Sequence, residues 1–80
     1  LSDTNMRDVT MDAAILNGAN LSNSILEGAF AYNAKFENVV IDGADFTDVL
    51  IANDVKKKLC IIADGTNSVT NKKTSETLDC

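Results

Sequence analysis

Cys60 and Cys80 are the two cysteines of this 80-residue chain, and their chemistry is the first question. The chain has no histidine, so two thiolates could not complete a tetrahedral zinc centre. The pair either forms a disulfide or stays as two reduced, buried thiols. A bridge over this separation would stabilise the fold by about 3 kcal/mol on the chain-entropy model. It would also place the protein in an oxidising compartment. If the pair cycled instead, it would be a redox-controlled tie, and a reduction potential near or below about −300 mV would mark a permanent one. Asp42, Asp45 and Asp48 are carboxylates three residues apart that could coordinate a cation. Their positions recur along the chain as corners and solvent-facing places, so ordinary turn chemistry is the simpler reading. Lys56, Lys57 and Lys58 could touch an anionic membrane or an acidic partner, but three lysines on an exposed helix face read more simply as solvation. There is no glycine-rich phosphate loop and no nucleophile paired with a base at a recognisable spacing. No enzyme activity, metal or cofactor is expected.

The elements that position these residues follow from a five-residue period over residues 1–53. Leu1, Met6, Met11, Leu16, Leu21, Leu26, Ala31, Phe36, Ile41, Phe46 and Ile51 mark its centres, all large and apolar except Ala31. Two places before each centre after the first stands a small or β-branched residue, from Thr4 and Val9 to Ala44 and Val49. Two places after stands Asp, Asn or Gly, broken only by Ala13. A period of five fits neither an amphipathic helix nor a half-buried strand. Fixed short self-similarity is the mark of a solenoid. The centre and the small residue before it point the same way on extended chain, and Asp, Asn and Gly tolerate the bend that follows.

Ala19-Asn20-Leu21-Ser22-Asn23 and Ala44-Asp45-Phe46-Thr47-Asp48 carry a resemblance to the pentapeptide-repeat family, matching its consensus at all five places. The resemblance implies an all-β fold: a right-handed quadrilateral β-helix with four pentads per turn, here with a C-terminal α-helical cap. Residues 1–53 would be the β-helix, under three coils and roughly 13 Å tall at the strand spacing, and 54–80 the cap and disulfide-tied tail. Residues twenty apart would then stack, as Leu1, Leu21 and Ile41 or Met11, Ala31 and Ile51, with the loosest packing at Ala31. The order of Leu59-Cys60, the Ala63-to-Asn67 turn and Thr77-Leu78-Asp79-Cys80 resembles the C-terminal cap of thylakoid-lumen and cyanobacterial members. Those members are expected to have Pro and Gly where Ser68 and Asn71 stand.

A cap is also legible in the residues. Asn53 or Asp54 would start a helix with Val55, Leu59, Ile62 and Ala63 on one apolar face, ending at Gly65. One helical turn is expected within Thr74–Cys80, with Leu78 and Val69 as the only apolar anchors of the tail. The chain starts on a repeat centre with nothing polar ahead of it, so either upstream residues or self-association through the uncapped N-terminal end is expected. Asn20-Leu21-Ser22 is a glycosylation sequon only by virtue of the repeat.

Function is bounded by charge and surface. Residues 1–53 carry eight acidic and two basic side chains and 54–80 four acidic and five basic. An acidic rod does not bind nucleic acid, because phosphate contacts need Lys and Arg. The place before each centre should face outwards, yet it holds Ile15, Ile25, Phe30, Val40 and Leu50, with Tyr32 beside Phe30. Phe30, Tyr32, Leu50, Ile25 and Val40 form the candidate interaction surface for an unidentified protein partner. The alternative is that they only shield backbone between coils. The expected function is a non-enzymatic scaffold or interaction module of the chloroplast thylakoid lumen, or of a cyanobacterial lumen or periplasm. The family supplies an alternative, an acidic DNA mimic inhibiting a type II topoisomerase, for which under three coils is short. No membrane-length apolar run is present.

Overall fold

Each pentad closes a tight turn, and four of them make one revolution. The computed structural model describes residues 2–80, so Leu1 lies outside the described residues. In most pentads the amide of the small residue donates to the carbonyl of the centre three places earlier, as Ala14 to Met11 at 3.0 Å and Ala44 to Ile41 at 2.9 Å. The corner between them takes a left-handed conformation, with φ from 55° to 76° at Asp3, Asp8, Ala13, Gly18, Asn23, Gly28, Asn38, Gly43 and Asp48. Positive φ at the third turn residue is what a type II turn requires. Asn33 is the exception among the expected corners within the coils, Asn53 having passed into the helix that follows. Its amide instead donates to Asp12 Oδ1 at 3.1 Å.

Successive revolutions stack in parallel with a register of twenty residues: Asn5 pairs with Ile25 and Ile25 with Asp45, Thr10 with Phe30 and Phe30 with Leu50, Ile15 with Lys35, Asn20 with Val40. Each pairing is a single-residue bridge rather than a continuous strand. Only the residue before each centre can use both backbone groups, as when Ile25 donates to Thr4 at 2.9 Å and accepts from Met6 at 2.7 Å, before the next turn interrupts the ladder. Side chains follow the same register, with Arg7 paired to Glu27 at 3.2 Å and Asn23 Nδ2 donating to Asp3 Oδ1 at 2.7 Å.

Met6, Met11, Leu21, Leu26, Ala31, Phe36, Ile41, Phe46 and Ile51 are buried along the axis, with Ala29, Ala34, Val39 and Ala44 filling the spaces between them. Leu16 is half-buried and Val9 exposed in the first coil. Ala31 is fully enclosed.

Helix α1, Asn53–Ile62, follows directly on Ile51. Ala52 stands at its N-cap without a side-chain hydrogen bond, so neither Asn53 nor Asp54 acts as the expected cap. The helix stops at Ile62, before Gly65. Ala63 turns extended, and this lets the Asp64 carbonyl accept from the Gly43 amide at 2.9 Å, continuing the ladder one rung higher. A Cβ on Gly65 would lie 3.0 Å from the Gly43 nitrogen, so this approach needs glycine. Of the expected apolar face, Leu59 is buried, Val55 and Ala63 are half-buried and Ile62 is exposed. Residues 63–73 form a small loop closed by an antiparallel bridge between Thr66 and Lys73. Asn71 is left-handed in it, at φ 59°, where the resemblance called for Gly. Helix α2, Thr74–Thr77, then delivers Leu78 to the same core cluster as Leu59.

Candidate interaction surface

The bridges that stack Thr10, Phe30 and Leu50 put their side chains on one face of the solenoid. Phe30 is 38% exposed, Leu50 42% and Tyr32 47%, and the Phe30 and Tyr32 rings meet edge to face with centroids 5.4 Å apart. Aromatic pairs prefer this geometry because the positive ring edge meets the negative ring face. An open groove of about 420 Å³ runs from Tyr32 past Lys35 and Phe36 to Asp54, Val55 and Lys58 on α1. Phe30, Tyr32 and Leu50 are thus brought together as expected.

The other two expected members are not part of this patch. Ile25 is 5% exposed, because loop 63–73 lies against its column: Asn67 Nδ2 donates to the Ser24 carbonyl at 3.2 Å and to the Gly43 carbonyl at 2.9 Å. Val40 is 46% exposed but belongs to the column of Asn20, two faces round from Phe30. Ile15, 75% exposed, sits between those faces in the column of Lys35. A linear stripe on the sequence is therefore dispersed around the rod.

The loop is held by groups that hydrophobic pattern alone did not reveal. Asn67 is fully buried, and its Oδ1 accepts from the amides of Val69 and Thr70, each at 2.9 Å. All four of its side-chain hydrogen bonds are made. Val69, expected as an anchor, is 66% exposed. Asp45 is likewise fully buried, accepting from the Thr47 amide at 2.9 Å and from the Thr47 hydroxyl. Burial pushes its carboxyl up, but these bonds, the nearby Thr70 hydroxyl and the Lys72 charge prevail and hold it below the usual carboxylate range. The Thr70 hydroxyl and Asp45 Oδ2 do not reach hydrogen-bond geometry with each other. The signal for Asp45 was present locally, since Asn5, Asn20 and Asp45 share one place in the pentad and each accepts the amide two residues on. For Asn67 the local part was only its turn onto the Val69 and Thr70 amides, and nothing pointed to the two carbonyls its Nδ2 reaches, 24 and 43 residues away.

The cysteines pair. Cys60 on α1 is bonded to Cys80, tying the end of the described chain to the helix, and Lys56 Nζ lies 3.6 Å from Asp79 Oδ2 beside them. Among the described residues no cluster of three or more His, Cys, Asp or Glu side chains could hold a metal, and no helix is long and apolar enough to cross a membrane.

Comparison with known proteins agrees with this geometry. The family profile described as Pentapeptide repeats matches residues 14–50 with eight copies. Residues 14–50 belong to the pentapeptide-repeat family. A stretch of the chain is also similar to the thylakoid lumenal 15 kDa protein 1, chloroplastic, of Arabidopsis thaliana, 46% identical over 48 residues, which is 60% of this chain and 21% of that protein. The whole chain superposes on the crystal structure of a pentapeptide repeat protein from the Arabidopsis thaliana thylakoid lumen, with a TM-score of 0.96 and 41% identity. It spans 56% of the length of that pentapeptide-repeat chain.

Proposed function

We propose that this chain is a non-enzymatic scaffold of the thylakoid lumen that binds a protein partner through the face of Phe30, Tyr32 and Leu50. The observation that carries the reading is the stacking of Phe30 and Leu50 in a register set by a backbone bridge, with the Tyr32 ring against Phe30, all three large and partly exposed. A rigid ladder presents them without further ordering cost, which favours binding. Residues 1–53 act as a right-handed quadrilateral β-helix, and residues 54–80 as its C-terminal helical cap. Support for the cap comes from Leu59 and Leu78, which join the core cluster of the repeats. The Cys60–Cys80 bond and the compartment of the two Arabidopsis relatives support the lumen. Replacing both Phe30 and Leu50 by Ser should abolish partner capture from a lumenal extract, or self-association, while the circular dichroism spectrum is unchanged. Val40→Ser, on the opposite face, should have no effect. Capture that survives the double substitution would remove the face from consideration.

A further inference from the structure

We propose that the Cys60–Cys80 disulfide is a site of thiol–disulfide exchange with a dithiol donor, and that Lys56 and Lys57 assist it by stabilising the departing Cys60 thiolate. The placement of these groups comes from helix geometry. Lys56 and Lys57 stand four and three residues before Cys60 on α1, the spacings that put side chains side by side on a helix surface. Both lysines line an open cleft of about 470 Å³ together with Asn53, Asp79 and the two cysteines. Among the described residues Lys57 has no ion-pair partner, whereas Lys56 is shared with Asp79. The two sulfurs are not equivalent, because Cys80 is exposed and Cys60 half-buried.

This asymmetry orders the steps. A donor thiolate attacks Sγ of Cys80, the more accessible sulfur. The S–S bond breaks, and Cys60 departs with the bonding electrons as a thiolate beside the two ammonium groups, which lower the free energy of that anion. The second donor thiolate then attacks the donor sulfur of the mixed disulfide, forming the donor's own disulfide and releasing Cys80 as a thiolate. Both cysteine thiolates end protonated, so two electrons and two protons have passed from the dithiol to the cystine.

The structural consequence follows from what the bond holds. Helix α2 has four residues, too few to persist alone. It brings Leu78 into the core and places the Thr77 hydroxyl 3.0 Å from the Phe46 amide it accepts. Without the covalent tie this turn frays, and the edge of the last coil around Phe46 opens. Redox state would then set whether the C-terminal end of the rod is closed.

The test treats the folded, oxidised protein with dithiothreitol without denaturant, quenches by alkylation and measures intact mass over time. Exchange on the native protein predicts a rate proportional to dithiothreitol concentration. Lys57→Gln should slow it about 2–5-fold, the size of a partly screened charge interaction, and Lys58→Gln should not. A monothiol, 2-mercaptoethanol, should leave its mixed disulfide on Cys80 in peptide maps. A rate independent of dithiothreitol and equal to that of global unfolding would overturn the proposal, as would a mixed disulfide on Cys60. An unchanged rate in Lys57→Gln would remove the role of the lysines.

Discussion

Ala13 holds a left-handed corner, at φ 64°, that its neighbours along the rod fill with Asp, Asn or Gly. An ordinary side chain in that conformation costs about 1–2 kcal/mol. Ala13→Gly should therefore raise stability by roughly 1 kcal/mol in a denaturant melt, a gain that glycine's extra freedom in the unfolded chain partly offsets. Asn67 acts in the opposite direction. Its side chain completes four hydrogen bonds inside the protein, and Asn67→Ala would take that partner from the Gly43 carbonyl and from the Val69 and Thr70 amides, while the Ser24 carbonyl keeps the Asp45 amide. A loss of about 2–4 kcal/mol is expected from such orphaned groups, and equal stability of the variant would show that water replaces the amide. Asp45 adds a pH dependence. Its carboxyl titrates lower in the folded protein than in the unfolded chain, so the charge contributes stability above the unfolded value of ~3.9. That contribution is lost as pH falls through the folded-state value. Thermal melts across the acid range should show a shallower decline for Asp45→Asn than for the parent.

At the scale of the elements, the repeat coils and α1 share one core through Leu59. The helix is short and has no side-chain cap, so burial rather than intrinsic propensity keeps it formed. Leu59→Ala should cost about 2–5 kcal/mol. Ile61→Ala, at a position 84% exposed one helical step away, should change stability by under roughly 0.5 kcal/mol. Comparing the two melts separates packing from helix propensity. The tail contributes through different forces, since Leu78 is its only buried large apolar side chain. Thr77, Asn67 and the disulfide supply the rest. The helix boundaries diverged from the local signals at both ends for one reason. The chain leaves the last coil at Ile51 and must return to Gly43 at Asp64, and that span, rather than Asn53 or Gly65, decides where helical geometry can begin and stop.

For the whole molecule, the twenty-residue register links distant positions and makes the proposed interaction face sensitive to insertions in a particular way. Duplicating residues 36–40 would shift Leu50 by one face, from above Phe30 to above Lys35, while every coil still finds a pentad beneath it. Duplicating residues 31–50 would keep Leu50 in the Phe30 column. The first variant should fold, form its disulfide and lose partner capture, and the second should keep capture and melt higher because a coil has been added. Equal capture by both would show that the column is not the recognition element. The sequence by itself determined the period, the inward centres, most of the corners and that Cys60 had only Cys80 to pair with, because each depends on residue types at fixed short spacing or on there being only two cysteines. It also determined that Phe30, Tyr32 and Leu50 would share a face, once the period was folded four to a turn. Tertiary structure alone decided that Ile25 is covered, that Asn67 and Asp45 are buried, and where α1 ends. Those outcomes depend on where the polar loop 63–73 lands, and it is held by the Asn23 side chain and by hydrogen bonds to backbone carbonyls. Every residue carries such a carbonyl, so no pattern of side chains could point to the ones that are used.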